Sequence, residues 1–146
     1  MNAFLKFNKG LLALPVPWRV WVALLAVLNV VVPLLYWERA EAKLVLAVML
    51  VNMVLMTVLT GLAGFTRLLG LGHLPWLALL PFLWMRLDQI PAGDFYGLWI
   101  RALIGVNGIS LVIDTLDVAR YIAGDRAETV AGLSGDEARE PAPGAG

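Results

Sequence analysis

WRVWVALLAVLNVVVPLLYW, the run from Trp18 to Trp37, carries one polar residue, Asn29, beyond Arg19. A hydrocarbon core of roughly 30 Å needs about 20 apolar residues in a helix, so this run is long enough to cross a bilayer. It is longer than the roughly 7–15 apolar residues of a signal-peptide core. The run also ends in Tyr36-Trp37, an aromatic pair suited to the membrane interface. A retained helix is therefore preferred to a cleaved leader, although Ala40-Glu41-Ala42 has the small-x-small pattern of a cleavage site.

Working outward, three further stretches approach the same length, at about 44–65, 68–85 and 95–117. None alternates apolar and polar residues with period two, as a membrane strand would, and helices satisfy their own backbone hydrogen bonds in lipid. The expectation is an all-α membrane protein with four transmembrane helices in an antiparallel bundle spanning 18–122. The third span is the weakest, with Pro75 and Pro81 inside it and Gly61, Gly64, Gly70 and Gly72 before it. Asp94 is positioned to cap the last helix, its carboxylate accepting from free backbone N–H groups.

Composition agrees. The apolar share is 60%, the charged share 15% and the mean hydropathy +0.80. A soluble domain has about a quarter charged residues. The formal net charge of +0 offers no general basic field, so nucleic acid is excluded as a partner. With no cysteine, disulfides, thiolate metal sites and cysteine nucleophiles are excluded.

The two ends differ. Residues 1–17 mix Lys6 and Lys9 with Phe and Leu and read as a short interfacial helix, broken from the first span by Pro15 and Pro17. Residues 123–146 are rich in Gly, Ala, Pro and charge and read as a disordered, mildly acidic tail. With the N-terminus inside, Lys6, Lys9, Arg19, Arg67, Arg120, Arg126 and Arg139 fall on the cytoplasmic side, against Arg39, Lys43 and Arg86 outside. The positive-inside rule then places both termini in the cytoplasm, and the expected location is a bacterial inner (cytoplasmic) membrane.

Ionisable and polar groups within the spans are the candidate functional residues. Arg101 lies about 6 residues, roughly 9 Å, into the last helix at the usual rise. Its side chain leans toward the outer surface, where it can snorkel or pair with Asp88 or Asp94. Binding an anion is the sharper alternative. Gly97, Gly105 and Gly108 share its face, at a spacing that lets another helix approach closely. Packing within the bundle is the expected use, and self-association the alternative.

Asn107, Ser110, Asp114 and Asp117 form a second stripe on the same helix. Structural hydrogen bonding, with Asn29 and Asn52 of the first two spans as partners, competes with a polar conduction path. The Asp114-Thr-Leu-Asp117-Val-Ala-Arg120 cluster resembles the aspartate motif of membrane CDP-alcohol phosphotransferases. It lacks that family's glycine, its Ala-Arg pair comes two residues early, and no second aspartate pair follows.

His73, the lone histidine, could hold a b-type haem only with a second subunit supplying another ligand. No cofactor, metal site or catalytic residue is expected: Ser110 and Ser134 have no base partner in view, and no phosphate-binding Gly-rich Lys motif occurs.

Two functions compete. One is an accessory or structural membrane protein that binds itself or a partner membrane protein through the last helix. The other is a small oligomeric transporter or channel using the polar residues of that helix. The small multidrug exporters of about this length depend on a membrane-embedded Glu in the first span, where this chain has only Asn29. A transporter should show a cavity joining Arg101, Asn107 and the two asparagines. An accessory protein should show a dry core and an apolar groove on the Gly97–Gly108 face.

Overall fold

The structure is a computed structural model describing residues 2–130. The described chain is helical throughout, with one isolated β-bridge between Thr66 and Glu128. Three helices are long and apolar enough to cross a membrane, or four if a bent pair is counted as one span.

Helix α1, Ala3–Ala13, is capped by Asn2, whose side chain accepts from the Phe4 amide at 3.1 Å. Helix α2, Val16–Leu35, begins two residues before the expected span and contains a π-turn at Val27–Val31. Helix α3, Ala40–Ala63, starts four residues early and ends at Gly64, whose φ of +75° suits glycine. Helix α4, Trp76–Met85, follows a 3-10 segment at Arg67–His73. Helix α5, Phe95–Ile122, runs past the expected end at 117.

The third span is not a straight helix. The 3-10 segment and α4 meet at a 42° bend. Helix α4 has ten residues, or about 15 Å of rise, half of a bilayer core. Gly64 punctuates this joint as expected, whereas Gly70 and Gly72 serve as contact points. A Cβ on Gly70 would lie 2.8 Å from the Asp114 carbonyl oxygen, and one on Gly72 would lie 2.8 Å from Met56 Sδ. At Gly70, where the neighbour is backbone, only glycine lets the segment pack this closely against α5.

The expected N-terminal helix forms and packs on the bundle: Phe7 and Gly10 are buried, the Phe7 and Phe65 rings meet at 6.1 Å, and Ala3 lies against Gly61. The chain beyond 123 is structured at its start. The Thr129 amide donates to the Phe65 carbonyl at 2.9 Å, the Thr129 hydroxyl donates to the same oxygen at 2.9 Å, and Glu128 sits 3.3 Å from Lys6 Nζ. The rest of the expected tail, 131–146, lies outside the described residues.

Two clusters hold the helices together. At the hairpin end, carrying the 36–39 and 86–94 turns, one core unites Val32, Val45, Leu79, Leu83, Ile100 and Leu103 with Trp76, Tyr96 and Trp99. At the other, terminal end, where α1 and residues 128–130 lie, a smaller cluster contains Phe7, Met56, Phe65 and Leu69. Leu24, Leu50, Val54, Leu62, Val112 and Leu116 are exposed, as side chains facing lipid would be.

Candidate functional site

The site begins at the π-turn. An i→i+5 turn inserts a residue into the helix and is frequent at functional positions. Here it directs Asn29, 2% exposed, at Asn107 of α5. Asn29 Nδ2 donates to Asn107 Oδ1 at 3.2 Å, and Asn107 Nδ2 donates back to Asn29 Oδ1 at 3.0 Å. Each amide spends its second N–H on its own helix, Asn29 on the Leu25 carbonyl at 2.8 Å and Asn107 on the Leu103 carbonyl at 2.9 Å. Those backbone acceptors fix which way each amide faces. Nearby, the Trp99 indole N–H donates to the Leu28 carbonyl at 2.8 Å, so the π-turn is tied to α5 twice.

Toward the terminal end α2 parts from its neighbours: Val16–Ala26 buries no residue. The gap is a half-open cavity of about 800 Å³. Its floor holds Asn29, Asn52, Asn107 and Ser110. Its walls include Trp18, Trp21, Leu25, Met49, Met53 and Met56, and its rim carries Arg67, His73, Asp114, Asp117, Arg120 and Glu128. Ligand sites of roughly 300–1,000 Å³ with apolar walls and a few placed polar groups are the common form of small-molecule pockets.

The rim is built from long-range pairs. Arg67 donates to Asp117 at 2.7 Å and to Asp125 at 2.9 Å. His73 Nδ1 lies 2.8 Å from Asp114 Oδ2. The aspartates of the α5 stripe are therefore matched by the 3-10 segment.

The hairpin end is closed. Glu41, 6% exposed, accepts from Arg86 Nε at 2.6 Å and from the Tyr96 hydroxyl at 2.8 Å. The Arg39 guanidinium sits 5.0 Å over the Tyr96 ring. The Tyr36 ring meets Tyr96 edge-on at 5.0 Å and stacks on Trp99 at 5.9 Å.

The expected residues divide sharply. Asn29, Asn52, Asn107, Asp114 and Asp117 all line one cavity. Asn52 was expected as a partner for the α5 stripe, yet its Oδ1 is buried without a hydrogen bond among the described residues. Arg101 is elsewhere. Its guanidinium donates to the carbonyls of Gly97 at 3.0 Å and Ile90 at 3.3 Å. It turns toward the hairpin end and bonds to backbone rather than to Asp88 or Asp94. Asp94 caps α5 through the Gly97 amide at 2.7 Å.

The glycine face is not one surface. Gly97 is pressed against the Pro91 carbonyl, whereas Cβ atoms on Gly105 and Gly108 would meet nothing within 4 Å. Packing within the chain accounts for the first glycine and not for the other two.

Glu41, Arg86, Tyr96 and Arg67 were not singled out from the sequence. Each bond joins positions 45 or more apart, and no local pattern announces it. Among the described residues, no group of three or more metal-ligating side chains comes together. No protein-family model matches the chain, and no curated protein or solved structure is detectably similar to it.

Proposed function

We propose that the chain is a membrane carrier that takes a small, largely apolar solute into the cavity between α2, α3 and α5. It crosses the bilayer four times, counting the bent third span, as an antiparallel bundle with both termini in the cytoplasm of a bacterial cell. The cavity carries the reading: about 800 Å³ of space with neutral amides at its floor, and the Arg67–Asp117 ion pair and the His73–Asp114 contact at its rim. An accessory protein has no need of a polar-floored chamber. The dense aromatic and ionic closure at the hairpin end fits a carrier open on one side only. Substrate would enter from the terminal end, and transport would require the hairpin end to open in turn. No step calls for a catalytic residue.

The test uses the absence of native cysteine. Ser110→Cys and Met53→Cys should react with a water-soluble maleimide added on the terminal side of reconstituted vesicles. Val45→Cys and Leu103→Cys, in the closed half, should stay unreactive. Equal protection of Ser110→Cys and the lipid-facing Val112→Cys would sink the carrier reading.

A second reading rests on another observation. Gly105 and Gly108 face open space beside exposed Ile109 and Val112, so α5 can receive another helix, from a second copy or from a partner membrane protein. This accessory role predicts a stable dimer, or a stoichiometric companion in mild detergent, that Gly105→Leu abolishes.

A further inference from the structure

One contact at the cavity rim joins two elements through the chain's lone histidine. His73 Nδ1 lies 2.8 Å from Asp114 Oδ2. Both side chains are 18% exposed, yet these two atoms are buried, and no other group among the described residues hydrogen-bonds to either. A bare ring nitrogen and a carboxylate oxygen are both acceptors and would repel at this distance. A proton therefore sits on Nδ1, and the ring gains or loses its second proton at Nε2. Losing it turns an imidazolium beside a carboxylate into a neutral ring beside a carboxylate, which is the weaker contact.

The contact holds a seam that has room to move. The 3-10 segment Arg67–His73 ends where the chain bends by 42° toward α4. Gly70 of this segment and Asp114 of α5 border the large cavity. They also border a separate cleft of about 220 Å³, lined by Leu71, Leu74, Leu77, Leu111 and Val118. The seam between the segment and α5 is thus edged by two voids. Besides the Gly70 approach, it is held by Arg67 on Asp117 and by His73 against Asp114.

We infer that His73 and Asp114 form a proton-operated clamp on the cavity mouth. The inference rests on the carrier reading and gives it a second ligand, the proton. With Nε2 protonated, opposite charges draw the 3-10 segment onto α5 and narrow the mouth. With Nε2 bare, the seam loosens and the mouth widens. The other ionisable groups around the cavity are Asp117 and Arg120 on α5, Arg67 on the segment itself and Glu128 after α5, whereas α1, α2 and α3 contribute none. Of these residue types, histidine is the one that changes charge near neutral pH. Coupling between two ligands is reciprocal, so a solute that props the mouth open favours loss of the proton, and proton uptake favours release of the solute.

Maleimide reactivity of Ser110→Cys, on the cavity floor, reads the mouth in the full chain in lipid nanodiscs. Rates at about pH 6 and about pH 8 are divided by those of the same cysteine combined with His73→Asn. Asparagine keeps a donor near the Nδ1 position and cannot take up charge, so the division removes the pH dependence of the thiol itself. The ratio should be about one at the higher pH and fall about fivefold at the lower. Asp114→Asn in the His73 parent should abolish the fall. A ratio that stays constant, or that rises in acid, overturns the clamp and leaves the carrier reading standing. If His73→Asn does not fold, Gly93→Cys in the exposed turn before α5 supplies the denominator, and a fall toward acid or its absence decides in the same way. If Ser110→Cys is unreactive at both pH values, the carrier reading and the clamp fail together.

Discussion

The two ends of this chain are made of similar residues and packed in opposite ways. Toward the hairpin end, Val45, Leu83, Ile100 and Leu103 are fully buried, and Tyr36, Tyr96 and Trp99 stack in one cluster. Toward the terminal end, Val16–Ala26 buries nothing, and a cavity lies beside a smaller cluster of Phe7, Met56, Phe65 and Leu69. The reciprocal Asn29–Asn107 bond marks the boundary. In lipid, apolar side chains gain little by leaving the acyl chains for each other, so close packing and polar bonds decide where helices meet. The hairpin end has both. The terminal end has its polar bonds at the floor and the rim, and α2 between them is free to lean away.

This contrast has measurable limits. Leu103→Ala in the packed half should cost about 2–5 kcal/mol, read by unfolding in mixed micelles. Met53→Ala, on the cavity wall, should cost under about 1 kcal/mol, because a side chain bordering open space leaves little new void. Equal losses would erase the distinction between the halves.

Gly70→Ala drives a methyl into the Asp114 backbone where the 3-10 segment meets α5. The expected loss is about 1–3 kcal/mol. Because this contact carries the rim, maleimide reactivity of Ser110→Cys should rise in the same variant. A loss of stability with no change in reactivity would separate the rim from the cavity.

Tyr96→Phe removes one donor from buried Glu41 and leaves the Arg86 bond in place. About 1–2 kcal/mol should go. If the hairpin end opens during transport, this variant should also admit maleimide to Val45→Cys, which the parent excludes.

Much of this was legible from runs of apolar residues. Hydropathy locates α2, α3 and α5 to within a few residues, because crossing a bilayer imposes length and composition directly. Asp94 was readable as a cap from its place before an apolar run. The third span was readable only as weak. Pro75 sits at its break, and the segment before it is held by glycines whose contacts with Asp114 and Met56 lie on distant parts of the chain. The start of the tail was misread because composition measures what a segment can bury, not whether one threonine finds a free carbonyl at Phe65. Among the candidate polar residues, Asn29 and Asn107 were identifiable as polar groups inside the spans, with Asn29 and Asn52 both offered as partners for the α5 stripe. The isolation of Asn52 was not, since it depends on the lean of α2. Arg101, the most conspicuous residue in the sequence, is occupied with backbone carbonyls.

The segment that follows α5 has a consequence in time. Thr129 and Glu128 tie residues made after α5 to Phe65 and to Lys6, made before it. A nascent chain can thread α2 and α3 into the bilayer and still have no finished rim. The chamber therefore takes its final shape only once the stretch after α5 has left the ribosome, and a chain cut off at the end of α5 would carry an unlatched doorway.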